Sequence, residues 1–194
     1  MNRSAGKVDW TALMALAATI AALAAVASSV IVVRGVREDA ARTRFNAGLE
    51  SLWHLTEEWN SEEMTDTRSH AAASLLAAKP TADVNAVLDF FDEVALLLQR
   101  GALDEEMVWH EFYWPIANYW FASQEYIQQV QHDDPTAWTD LNATVQRLVG
   151  IEARRKRQST GMAVPSLKEM RDFLTDETGA DECTDDEEVR KTPL

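Results

Sequence analysis

ADVNAVLDFFDEVALLLQR, residues 82–100, decides the fold class. Val84, Val87, Leu88, Phe91, Val94, Ala95 and Leu98 recur three and four positions apart, which lays them on one helix face, and Gly101 follows as a stop. Upstream, Ser61 followed by Glu62 and Glu63 opens another helix with Met64, Ala71, Leu75 and Ala78 inward, closed by Lys79 and Pro80. Arg68 falls on that apolar face. A guanidinium there must find a partner or reach water, so a structural ion pair is predicted between Arg68 and a carboxylate of the next helix, from Asp89, Asp92 and Glu93. Before Asn60, Phe45, Leu49, Leu52, Thr56 and Trp59 mark a further amphipathic helix.

Downstream, Asp104 caps a helix whose face carries Trp109, Phe112, Ile116, Tyr119, Ser123, Ile127 and Val130, with a kink or break expected at Pro115. Trp114 and Phe121 point off that face and are candidates for an interaction surface. Asp134 and Pro135 read as the cap and first residue of the next helix, which buries Trp138, Leu141, Val145 and Leu148. It ends in Arg154, Arg155, Lys156 and Arg157, a basic end favoured by the helix dipole and suited to anionic headgroups. After Pro165 a short helix presents Leu167, Met170, Phe173 and Leu174. From Thr175 the carboxylates crowd together with almost nothing apolar to bury, so 175–194 is predicted to be a disordered acidic tail.

The N-terminal end adds a membrane. Residues 11–33 are uncharged and Ala-rich, and as a helix they would extend roughly 35 Å against a hydrocarbon core about 30 Å thick. Ala25-Val26-Ala27 resembles a signal-peptidase site, but the apolar run continues through Val30, Ile31, Val32 and Val33, which favours an uncleaved anchor. Arg3 and Lys7 precede the span, whereas Arg34, Arg37, Arg42 and Arg44 follow it. That excess places the N-terminus outside and the C-terminal domain in the cytoplasm, and the lone Cys183 agrees. Ala17, Ala21 and Ala25 repeat every fourth position and would let two spans approach closely as a homodimer.

The expected architecture is therefore all-α: a flank at 1–10, a transmembrane helix at 11–33, a cytoplasmic bundle of about five helices over 34–174, and the tail. The segments Trp59-Asn60-Ser61-Glu62-Glu63-Met64 with Arg68, Leu88 to Ala95, Gly101-Ala102-Leu103-Asp104 and Tyr119-Trp120 resemble an uncharacterised bacterial family, a domain of unknown function. The likeness covers about Arg34 to Gln131, and the family favours Gly where this chain has Ala95. The resemblance implies one N-terminal span and a small helical domain. It implies no activity.

The formal net charge is -14, with a single short basic run, and excludes nucleic acid as a partner. Such acidity fits a halophilic source or a biased genome. The pairs Glu50 and His54, Asp66 and His70, and Glu106 and His110 stand four apart, but the Glu-x-x-His spacing of di-iron bundles is missing. No phosphate-binding glycine loop occurs, and Cys183 among carboxylates is a poor nucleophile. No catalytic residue, metal or cofactor is assigned. The reading is a membrane-anchored interaction or scaffold protein contacting lipid and an unidentified protein partner. A membrane-tethered enzyme or metal-binding bundle is the alternative.

Overall fold

The computed structural model describes residues 39–179 except 40, 41, 44, 158 and 160–162. The flank at 1–10, the predicted span at 11–33, its alanine stripe and residues 180–194 lie outside the described residues. The chain divides after Arg44 into two compact units, and the second begins at Phe45.

Seven helices form this second unit among the described residues, and no strand does. They are α1 (residues 45–59), α2 (Glu62–Leu76), α3 (Ala82–Gln99), α4 (Glu105–Ala122), α5 (Gln124–Asp133), α6 (Thr139–Lys156) and α7 (Leu167–Glu177). The all-helical expectation holds, with seven elements in place of about five. None of the described helices is long and apolar enough to cross a membrane.

The α3 helix is the centre of the bundle, as its periodicity requires. Val84, Val87, Leu88, Phe91, Val94 and Ala95 are fully buried, and the helix packs against α2, α4 and α6. The caps follow from local chemistry: the Ser61 hydroxyl accepts the Met64 amide, and Asp104 accepts the amides of Glu106 and Met107. Ser166 and Glu169 form a reciprocal capping box that starts α7 against α2 and α4.

Three local expectations are corrected. The long aromatic helix runs through Pro115 and breaks at Ser123, because proline removes one amide bond whereas Ser123 leaves the helical basin at φ -95°, ψ 6°. The next helix starts at Thr139 instead of Asp134. Asp134 spends its Oδ1 on the amide and hydroxyl of Thr136, which wraps the chain into a turn, and Trp138 then takes a left-handed φ of 54°. Finally, α7 continues to Glu177, past the expected boundary at Leu174, and Leu167 on it is exposed.

On α1, Leu55 and Trp59 are buried while Phe45 and Leu49, expected inward, are exposed. Gly48 explains the rotation. A Cβ there would stand 2.9 Å from the Ala102 carbonyl oxygen, so glycine lets the backbones close on that side. Gly48→Ala should gain roughly 1 kcal/mol of helix propensity yet lose more to this clash, for a net destabilisation of about 1 kcal/mol. Urea unfolding that shows a net gain would refute the close approach.

Candidate functional site

The predicted partner for Arg68 is corrected. Its Nε lies 3.4 Å from Glu177 Oε2 on α7, at ion-pair distance though off the N–H direction, and both side chains are largely buried. The guanidinium also lies over the Trp59 ring, 4.3 Å from its centroid. The Tyr119 hydroxyl stands 3.1 Å from the Arg68 carbonyl oxygen and 3.2 Å from Glu177 Oε2, sharing its one proton between them. Phe173 meets the Tyr119 ring edge-on at 5.5 Å. Side chains from α1, α2, α4 and α7 thus converge on one polar latch.

Burial raises the Glu177 pKa above its ordinary 4.5, outweighing the pull of Arg68 and the Tyr119 hydrogen bond. Burial, and then the Glu177 charge, push the Tyr119 phenol up as well, so it stays protonated. The folded state therefore holds the Glu177 proton more tightly than the unfolded chain does. This contribution is full below the unfolded pKa and is lost as pH rises through the raised folded value. Lowering pH from 7 towards 5 should strengthen α7 docking, and Glu177→Gln should remove that gain. Urea midpoints of both proteins at the two pH values test it; parallel pH responses would contradict the assignment.

The α3 carboxylates serve α6 instead of Arg68. Asp89 Oδ1 accepts Trp138 Nε1 at 2.7 Å, and Asp92 Oδ1 accepts the Leu141 amide at 2.8 Å, inside the first turn of α6. Glu93 is exposed, and no ion pair reaches it among the described residues. Asp89 and Asp92 line an open crevice of about 360 Å³ with Asn85, Asp134, Thr136 and Trp138. Burial raises the Asp92 pKa, opposed by the Leu141 amide and reinforced by Asp140 and Asp89. The crevice therefore has one acidic wall, but each aspartate already has one oxygen committed to the protein. Among the described residues, no group of three His, Cys, Asp or Glu side chains is placed to hold a metal ion.

At the basic end, Arg155 pairs with Glu106 and lies 4.1 Å over the Trp109 ring, while Lys156 pairs with the buried Glu152. Arg154 and Arg157 are exposed. Half of the candidate headgroup-binding charge is thus engaged within the bundle. Of the two candidate aromatics, Trp114 is exposed, whereas Phe121 is half-buried and lines an apolar groove of about 590 Å³ with Leu75, Leu76, Leu167 and Leu174.

The largest exposed aromatic is one the sequence reading missed. Trp53 is 72% exposed on α1 and forms a ridge with Phe45 and Leu49, each four residues from the next. The four-residue spacing carries that signal, but Phe45 and Leu49 also belong to the stripe with Leu52, Thr56 and Trp59 that reads as core.

Residues 12–148 match the model of a family described as a domain of unknown function, DUF4760. The chain belongs to that family. No curated protein and no solved structure matches it. The DUF4760 match is wider than the expected resemblance at both ends, taking in most of the apolar stretch at 11–33 and most of α6. Within DUF4760 lie the α1 ridge, Arg68, Tyr119 and the aspartate crevice; Glu177 and the basic end of α6 lie beyond the match.

Proposed function

We propose that this protein is a single-span membrane protein whose helical domain, on the cytoplasmic side, holds protein partners at the membrane without catalysing a reaction. The ridge of Phe45, Leu49 and Trp53 carries the reading, because three large apolar side chains in line on one exposed helix face gain free energy only when something covers them. The ridge begins twelve residues after Val33, the last residue of the apolar stretch. The polar contacts between helices support the same reading. Arg68, Asp89 and Asp92 are engaged in docking one helix on another, which is the work of a rigid platform. Arg154 and Arg157 add two charges suited to anionic headgroups.

The anchor is tested by fractionation. The full chain should stay in the membrane pellet after alkaline extraction, and a variant lacking residues 1–34 should move to the supernatant. A full chain recovered in the supernatant would overturn the proposal.

A further inference from the structure

We infer that the face of α2 and α4 covered by α7 is a docking site for an acidic amphipathic helix of a partner protein, and that α7 is the chain's own occupant of it, displaced when the partner binds. The inference rests on the reading of the domain as a holder of protein partners. It is a second contact and leaves the ridge on α1 to its own partner surface.

The pattern of α7 names the chemistry the site accepts. Met170, Phe173, Leu174 and Glu177 stand at i, i+3, i+4 and i+7, the spacing by which an amphipathic helix anchors in a groove. Leu174 is buried, Met170 and Phe173 are half-buried, and the fourth anchor is the carboxylate that meets Arg68 and Tyr119. Lys168, Glu169, Arg171 and Asp172 on α7 are exposed. Among the described residues, Arg68 to Glu177 is the one ion pair that ties α7 to the rest of the domain. The face therefore takes three apolar side chains followed, one turn on, by a carboxylate.

Two observations mark α7 as an exchangeable occupant. The first is fit. A groove of about 590 Å³ stays open between Leu75, Leu76 and Phe121 on one side and Leu167 and Met170 of α7 on the other. Leu76 and Leu167 on its walls are 41% and 84% exposed. Contacts missing across such a gap are lost outright, so a helix with larger apolar residues at those positions gains what α7 forgoes. The second is extent. All of α2 and α4, with Arg68 and Tyr119, lies within the family match at 12–148, and all of α7 lies beyond it. The receiving face belongs to the family domain, and its cover does not.

The residues before α7 set the hinge. Ala163 and Pro165 are buried, and the Tyr113 hydroxyl donates to the Ala163 carbonyl, so release begins at Ser166. Tethered there, α7 competes with a free helix from an effective concentration on the order of millimolar. A partner wins by filling the open groove.

The test uses the full chain in a mild-detergent extract and, as probe, a fluorescent peptide with the sequence of residues 165–179. The unaltered chain should bind it weakly, because α7 occupies the face. Leu174→Asp in the chain unseats α7 and should raise the affinity about tenfold, and Glu177→Lys should raise it severalfold. Placed in the peptide instead, Glu177→Lys or Phe173→Ala should each cut binding to the Leu174→Asp chain about tenfold, with the fold of the protein untouched. Met170→Trp in the peptide, which fills the groove, should bring measurable binding to the unaltered chain. The inference is overturned if both chain variants stay helical by circular dichroism and bind no better than the unaltered chain, or if the peptide variants all bind alike. It is also overturned if both chain variants unfold, since α7 would then be an integral part of the core. Alkaline extraction of the same membranes is scored separately: chain in the supernatant refutes the anchor whatever the peptide does, so the two failures are distinguishable.

Discussion

Trp59→Ala is expected to lower the unfolding free energy of the domain by about 4 kcal/mol, the largest loss of any single substitution considered. The indole is 7% exposed at the end of α1 and fills the space between three helices. It stacks on Phe90 at 5.2 Å, lies 4.9 Å from Phe91, and meets Phe112 and Tyr119 edge-on at 6.4 Å. Its outer face carries the Arg68 guanidinium. Truncation therefore opens a cavity in the core and removes the surface against which the latch closes. Trp59→Phe retains most of the packing and should lose about half as much. Chemical denaturation followed by far-ultraviolet circular dichroism measures both; a loss below about 1 kcal/mol for the alanine variant would refute the hub.

Arg68→Ala comes second, with an expected loss of about 3 kcal/mol at neutral pH. The number sits at the low end for breaking a buried pair because the two side chains keep 14% and 16% of their exposure. The cost arises from what is left behind. The Glu177 carboxyl is left buried against Tyr119 without its guanidinium partner, and α7 loses its tie to α2. Adding Glu177→Gln removes the stranded carboxyl, so the double variant should recover about half of the loss. Strict additivity of the two single effects would show that Arg68 and Glu177 do not act as a pair.

The latch also shows where sequence reasoning reached its end. Arg68 stood out as a charge on an apolar stripe, a rule that works within one helix and therefore from sequence alone. Its partner could not be chosen the same way, since Glu177 lies 109 residues away in a segment whose mean acidity reads as solvated tail. Averaging over 175–194 hid the three residues that extend α7. On α1, periodicity found an apolar stripe but could not say which of its edges faces the core. That was decided by Gly48, whose missing side chain admits the Ala102 carbonyl. The inward stripe of α3 was legible, apart from the buried Phe90, because the helix is covered by α2, α4 and α6 and its pattern permits one orientation. The turn at Asp134 was not, because the same Asp-Pro pair suits both a helix cap and an Asx turn, and the choice fell to Trp138 burying its ring and bonding Asp89.

The family match leaves the activity of this domain open, and it includes most of the apolar stretch together with the ridge. Those two features together support the proposal that the chain is held in a membrane with its helical domain on the cytoplasmic side. The unique Cys183 supplies the most direct test. A membrane-impermeant thiol reagent applied to intact cells should leave Cys183 unlabelled, and the same reagent after lysis should label it in protein recovered from the membrane pellet. Labelling of Cys183 before lysis would contradict the claim.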